Sequence, residues 1–494
     1  MAYIYIGGQS VMDQELRRTK VIWSVDSHSL SCEELGASVE QCAYDALRIM
    51  YRPGCFENIV QFLQECNRKF LECDSRRFTL MIDLGSIERA KVVRFGPQAD
   101  ADSMDFAYGD EFELGLVDKP GKQAILLESE EPLTSLFAQD ASVFFNHGDI
   151  ICRVQTVTDS NVKLHVVKGG HVSLQCDMQV PATRQIPSIF DHSYIDLGQL
   201  QQLGVDYVIL PGRIATRELA LAKKKLSAQK GSRTRVIIRL DHVEAWERAK
   251  ELVEVCDGVL ISRHELALTV EPSTVPMICK EVMKLCDEQA KSVYIASEML
   301  ASMRVNATPT RAEVSDVANA IMDGTDAVVL SQDITQGVHQ KRALELTHEV
   351  IDDVENHFAH QEPNWSREAF VITNEFDAVA YHAFHTAKRV GAKAVVCITH
   401  AGNTALRLAS FHPEMPIYAV TFSAMVVRQL RLVRGVIPLL MEGAPNIDDV
   451  LPVVSERLKR ESYLNLGDSI VFVTVSLSPV GAKASNLFTI QKLE

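Results

Sequence analysis

The sequence predicts an α/β protein: a closed parallel (β/α)8 barrel, interrupted by a small all-β lid domain and followed by a second α/β domain with a parallel sheet. Three observations carry this prediction. Eight short runs rich in Val, Ile and Leu recur through the first two thirds of the chain, most are followed by apolar residues at helical spacing, and the rhythm breaks once, for about 120 residues. A strand–helix repeat makes neighbouring strands parallel, and eight repeats suggest closure.

The strands are VIWSV from 21, ALRIM from 46, TLMIDL from 79, YVIL from 207, RVIIRL from 235, GVLISR from 258, VYIAS from 293 and AVVLS from 327. Helical spacing runs from Ala245 to Val255 and from Pro276 to Gln289. The most heavily punctuated stretch is TPTRAEVSDVANAIMDGTDAVVLS, 308–331. Thr310 and Glu313 form a capping box, Pro309 blocks an earlier start, and Gly324 stands where the helix stops. Val314, Val317, Ala318 and Ile321 share an apolar face, which leaves Arg311, Glu313, Asp316, Asn319 and Asp323 unexplained by packing.

A crossover needs only a dozen or two residues, so the gap after the third strand holds an insertion. Residues 86–181 alternate polar and apolar positions (EFELGLV, VFFNHGDIICRV, VKLHVV) and carry turn signals KPGK and KGGH. They read as a β domain over the catalytic face, leaving 1–85 and 182–358 to the barrel. Beyond Asn356 the pattern restarts: a helix from Glu375 to Val390, strand AVVCITH, a helix from Asn403, strand IYAVTF, a helix through VVRQLRLVRG, and strands SIVFVTV and FTIQKL. This is a domain over 368–494, reached through a linker at His360–Arg367 containing Pro363.

Composition narrows the function. A 47% hydrophobic and 23% charged chain of 494 residues is an ordinary folded protein. A formal net charge of −15 argues against a nucleic-acid surface, and the single basic triplet, Lys223, Lys224 and Lys225, reads as a solvated helix face. The 11 cysteines show no CxxC pair and read as reduced thiols. The N-terminus lacks a signal-peptide pattern and no run of 18 apolar residues occurs, so the expectation is a cytoplasmic protein with no membrane partner.

Chemistry in such a barrel sits at the carboxyl ends of the strands. The polar residues there are Arg48, Asp83, Arg239, Asp241, Arg263, Glu265, Ser297 and Ser331. Arg239 and Asp241 lie two apart and share a face, and Glu265 ends the neighbouring strand. Two carboxylates with open water positions suit Mg²⁺ that also holds a substrate oxygen. The alternative is that Asp241 and Glu265 cap the following helices and pair with Arg239 and Arg263.

The stretch ASEMLASM through DGTDAVVLS resembles the pyruvate kinase signature of strand seven, helix seven and strand eight. The resemblance extends through TKVIWSV, the inserted β domain, DGVLISR and RQLRLVRGVIPLL. It implies phosphoryl transfer between phosphoenolpyruvate and ADP to give pyruvate and ATP in glycolysis, with Mg²⁺ (or Mn²⁺) and usually K⁺. It also implies that the polar helix braces the active-site loops and reaches a subunit interface, in a homo-oligomer (a tetramer in the family) or a hetero-oligomer with an active member. Asp241 and Glu265 match the two Mg²⁺ ligands, with Asp standing for Glu and Glu for Asp, a shift of about 1.5 Å each. Arg48 matches the arginine on the transferred phosphoryl group, Ser297 replaces a threonine that serves the substrate, and Arg239 replaces a lysine. A planar fork is not a movable point charge.

Other departures are larger. LRIMYRPG puts Met50 and Arg52 where two potassium ligands stand, and Pro53 in place of a nucleotide-contacting His. IDLGSIERA keeps Asp83 but places Leu84 at a third potassium ligand and Ala90 at an ADP-binding Arg; potassium-independent members carry their charge at the position of Ile87. The resemblance thus implies a monovalent-cation site reduced to Asp83, not filled by K⁺ in the family manner. SRHELA keeps Arg263 and Glu265 for substrate and metal but sets His264 and Ala267 where glycines present backbone N–H groups to the substrate carboxylate. THAGNTA, with Thr399, Gly402, Asn403 and Thr404, resembles an effector phosphate loop or is an ordinary strand-to-helix turn. VSLSPVGAKASN lacks the later effector residues. Two functions follow as expectations: a working enzyme of weakened activity, or an impaired paralogue that binds metabolites or assembles with active subunits.

Overall fold

In the computed structural model the eight runs close into a barrel of parallel strands: Lys20–Asp26, Ala46–Met50, Thr79–Asp83, Tyr207–Leu210, Arg235–Leu240, Gly258–Ser262, Ser292–Ala296 and Ala327–Leu330. Hydrogen bonding follows chain order around the ring, and the first strand pairs with both the second and the eighth. The structure describes residues 17–357 and 372–493, apart from 28–29, 31–43, 52–54, 71–78, 86–90, 96–102, 117–123, 129–132, 146–147, 149, 174–177, 181–196, 228–232, 373, 442–446, 461–462 and 476–485. The expected linker at 360–367, Arg52, Pro53, Ile87 and Ala90 lie outside the described residues.

Alternation along each strand sorts the core into two layers. Val21, Leu47, Leu80, Val208, Val236, Val259, Val293 and Val328, one per strand, face outward into the core shared with the helices. Ile22, Ala46, Met81, Tyr207, Ile237, Leu260, Tyr294 and Ala327 form the cluster inside the barrel. Two residues further along, the same inward parity brings Arg48, Asp83 and Arg239 into the barrel at its carboxyl end.

The floor of the barrel repeats every two strands. Each even-numbered strand is entered through an aspartate: Asp45, Asp206, Asp257 or Asp326. Each carboxylate accepts an N–H from the preceding strand, those of Val21, Leu80, Val236 and Val293, at 2.8, 3.0, 2.9 and 2.8 Å. The aspartates' own N–H groups donate back to the carbonyls of those same four residues. Eight backbone N–H groups at the lower rim of the closed sheet, four from the strands and four from the aspartates, are thereby satisfied.

The C-terminal domain docks on this floor. Its sheet holds parallel strands Ala394–Ile398, Ile417–Thr421, Val436–Leu440 and Ser469–Val475, with Asn486–Lys492 antiparallel at one edge. The helix read through VVRQLRLVRG stops at Leu430, and VIPLL, which the sequence reading passed over, forms the strand at the other edge. Pro438 argues against a strand in sequence but is tolerated at a sheet edge. From the end of that helix, Arg428 Nε donates to Asp206 at 2.9 Å and Tyr207 donates its hydroxyl to the Gln429 carbonyl at 2.7 Å. Gln429 reaches the Asp206 and Arg233 carbonyls, and the Arg434 N–H donates to Asp326 at 2.8 Å. Leu432, fully buried, plugs the barrel from below.

Between the third and fourth barrel strands the chain forms a seven-stranded sheet and a two-stranded ribbon, from Lys91–Phe95 to Met178–Gln179. Phe112, Leu114, Phe145, Val154 and Leu164 lie in its own core.

Burial raises the Asp206 carboxyl to about 6 despite Arg428, and Asp326 to about 6 despite its two backbone donors. A carboxyl raised in the folded state contributes stability below its ordinary value near 3.8, and that contribution is lost as pH rises through 6. Wild type should therefore lose about 2–3 kcal/mol relative to Asp326→Asn between pH 4 and pH 7, measured by urea unfolding. A constant difference across that range contradicts the assignment.

Candidate active site

At the mouth, one buried carboxylate holds two guanidiniums. Asp83 Oδ2 accepts from Arg48 Nε at 2.7 Å and from Arg48 Nη2, while Oδ1 accepts from Arg239 Nη2 and from the Gly85 N–H at 2.9 Å. Arg48 Nη1 also reaches Ser24 Oγ at 3.3 Å. All three ionic side chains are essentially excluded from water. Burial alone would raise the Asp83 carboxyl, but Arg239 and Arg48 outweigh it and hold the group at about 2. Arg239 is pushed upward by Asp83, Asp241 and Glu265 against burial, whereas burial leaves Arg48 below the ordinary arginine value.

Asp241, two residues past Arg239, has its Oδ1 buried with no hydrogen-bond partner. Burial and the nearby charge of Glu265 raise its carboxyl to about 6, against the opposing pull of Arg239. Gly212 packs against this turn: a Cβ there would collide with the Arg239 carbonyl and stand 3.1 Å from Asp241 Oδ1. A buried carboxylate oxygen without a donor, on a group already raised by the nearby charge of a second carboxylate, is the environment a divalent cation relieves, so the residues fit Mg²⁺. Among the described residues no three His, Cys, Asp or Glu side chains form an all-protein metal cage; Mg²⁺ that also holds substrate oxygens needs only one or two.

The helix-capping alternative is not what the structure contains. His242 caps Val243–Glu247, and Glu265 lies within the short helix Arg263–Ala267. Arg263 turns to Asp316 at 2.6 Å and to the Ser297 carbonyl at 2.8 Å. His264 and Ala267 take helical backbone, so their side chains meet no conformational barrier there. His264 pairs with Glu298 at 3.2 Å, and Ser297 Oγ donates to Glu265 at 3.1 Å. The loop beyond the seventh strand is strained: Ser297, Glu298 and Leu300 have φ of 75°, 57° and 63°. Each left-handed non-glycine residue costs about 1 kcal/mol or more, offset here by the anchors through Arg263 and Glu265.

The polar helix Arg311–Met322 braces this loop region. Its capping box forms as expected, and Glu313 also binds the Ser302 N–H at 2.7 Å and hydroxyl at 2.6 Å. Asp316 holds Arg263, and Asp323 pairs with Lys280. Gly324, at φ 95°, lies against the His412 ring of the C-terminal domain, and His412 Nε2 is 2.9 Å from Asp287 Oδ2.

Thr399, Gly402, Asn403 and Thr404 are not brought to this mouth. Thr399 Oγ1 accepts the Gly402 N–H at 2.9 Å, Thr404 is buried, and Arg235 from the barrel floor donates to the Ala401 carbonyl at 2.8 Å.

A closed parallel barrel whose charged residues converge at the carboxyl ends of its strands, with an inserted β sheet and an appended α/β sheet, defines an enzyme-type barrel scaffold. The chain belongs to the pyruvate kinase family. Residues 16–344 match the family profile described as pyruvate kinase, barrel domain, and residues 377–491 match pyruvate kinase, alpha/beta domain. A pyruvate kinase of Thermotoga maritima is 26% identical over 97% of this chain and 100% of its own length. One of Agrobacterium vitis is 28% identical over 92% and 93%, and one of Staphylococcus saprophyticus 28% identical over 76% and 64%. No helix among the described residues is long and apolar enough to cross a membrane.

Sequence reasoning missed the double grip on Asp83, the Arg263–Asp316 link and the strained loop. Strand parity could have revealed the first. Nothing in ASEML announces left-handed backbone, because none of its residues is Gly or Asn.

Removing Asp83 takes from two buried guanidiniums the carboxylate that both hydrogen-bond. Asp83→Ala should cost about 3–5 kcal/mol by urea unfolding; a loss under about 1 kcal/mol contradicts the bridging role.

Proposed function

We propose that the barrel mouth transfers a phosphoryl group between phosphoenolpyruvate and ADP, at a rate lowered by the residues that differ from the family pattern. The observation that supports this most is the juxtaposition of two buried guanidiniums with a carboxylate pair, one of whose oxygens has no partner. Arg48 and Arg239 would face the transferred phosphoryl group, with the Ser297 hydroxyl on the substrate. Asp241 and Glu265 would hold Mg²⁺, which neutralises charge on phosphate oxygens when bound. The burial that excludes water around Arg48 and Arg239 strengthens their pull on an anion.

A second reading, an impaired paralogue that binds metabolites or assembles with active subunits, is favoured by one observation. Arg239 is tied to Asp83 and cannot follow a phosphoryl group in flight as a free ammonium does. Each electrostatic donor lost from such a site costs about 10²–10³ in rate. In either case helix Arg311–Met322 is proposed to contribute to self-assembly or to assembly with another family member, through its exposed Arg311 and Asn319.

A coupled pyruvate-release assay decides between the readings. Slow turnover, well below the usual 1–10³ s⁻¹ or so, is expected of the first. Phosphoenolpyruvate with Mg²⁺ should raise the melting temperature by a few degrees, since ligand at a hundred times its Kd stabilises by about 2.7 kcal/mol. Stabilisation without turnover supports the second reading, and no response to phosphoenolpyruvate, ADP or Mg²⁺ refutes the first and leaves the barrel only a structural or assembly role. Calorimetry should show Mn²⁺ binding that is lost in Asp241→Ala; equal affinity removes Asp241 from the metal site. Sedimentation should give a mass above one chain at micromolar concentration, and a monomer unchanged by adding an active relative refutes assembly.

A further inference from the structure

A monovalent cation is held by oxygen lone pairs, and a carboxylate has about four to offer. At Asp83 all four are used: two by Arg48, one by Arg239 and one by the Gly85 N–H. The side chains flanking it add no oxygen, because Met50 lies opposite Asp83 in the strand register and Leu84 follows it, itself buried. A cation entering here would have to pull a guanidinium off its counter-ion in a site closed to water. The described residues at this position therefore do not fit K⁺.

We propose that a fixed guanidinium stands in for the monovalent cation: Asp83 is a positioning residue that clamps Arg48 and Arg239 as one rigid pair, and anion binding at this mouth requires no K⁺. The geometry divides the work within Arg239. One terminal nitrogen is spent on Asp83, while Nε is buried with no partner and remains as the donor for a ligand oxygen. Asp83 acts only through the two arginines, because it has no lone pair left for a ligand. A lysine at 239 would hold Oδ1 by a mobile point charge and release it intermittently. The oxygen-poor surroundings would then still leave only a weak cation site. The statement about anion binding rests on the phosphoryl-transfer reading, whereas the statement about cation binding does not.

The test separates the two. Thallium(I), a spectroscopic substitute for K⁺, is titrated into the full-length protein and followed by ²⁰⁵Tl NMR. Wild type should show no saturable broadening up to tens of millimolar, while Arg239→Lys, which keeps the charge and is suited to fold, should acquire it. In parallel, the affinity for phosphoenolpyruvate with Mg²⁺ is measured by calorimetry in K⁺ and in tetramethylammonium. It should agree within twofold for wild type and differ at least threefold for Arg239→Lys. Saturable thallium binding to wild type overturns the proposal, as does a threefold or greater gain in wild-type affinity on adding K⁺, or an Arg239→Lys protein with no thallium site. If phosphoenolpyruvate binds wild type under neither cation, the phosphoryl-transfer reading fails, and the thallium result still decides whether the guanidinium has displaced the cation.

Discussion

The ion bridge from Arg48 through Asp83 to Arg239 is the constraint on which the mouth depends. A buried carboxylate between two guanidiniums is tolerated only because every lone pair on it is matched. That match fixes strands two, three and five relative to one another across the interior, with the fourth strand spanned rather than used. Once Arg239 is pinned, the turn that follows sets Asp241, and the glycine at 212 lets the neighbouring loop close against it. Both the strength of the site and its rigidity follow from this arrangement. Positive charge is preorganised, but the group that carries it is held in place.

The two ends of the barrel solve different problems with the same parity. At the floor, four aspartates satisfy the lower rim, and three of them lie under the charges of Arg428, Arg431 and Arg434 from the C-terminal domain. Leu432 fills the space between them. The cost of burying Asp206 and Asp326 is visible in their raised carboxyls, whereas Asp83, with two full partners, is lowered. Buried carboxylates that accept from backbone N–H groups order the rim but gain less than one paired with two arginines.

Much of this was legible in the sequence. Eight β runs, their helical followers and the interrupted rhythm gave the barrel and the appended domain, because period 2 and period 3.6 are imprinted by burial. The strand at Val436–Leu440 was hidden by Pro438, and the helix before it ends earlier than its apolar pattern suggests, because Leu432 is buried in the barrel rather than on a helix face. At the mouth, residue type and strand-end position were enough to list Arg48, Asp83, Arg239, Asp241 and Glu265. Which cation pairs with which anion was not, since Asp83 and Arg239 are 156 residues apart and meet only once the barrel closes. The left-handed loop at Ser297–Leu300 left no trace, being imposed by contacts from Arg263 and Glu265.

Joint action of the guanidinium pair and the carboxylate pair on one bound phosphate is the proposed chemistry of this mouth. It is tested most directly by ³¹P NMR of phosphoenolpyruvate in the presence of Mn²⁺. With wild-type protein the phosphorus resonance should broaden as the metal and the phosphate are held in contact range, and the broadening should vanish in Asp241→Ala and weaken at least tenfold in apparent affinity in Arg48→Met. Broadening that is the same in wild type and both variants would contradict it.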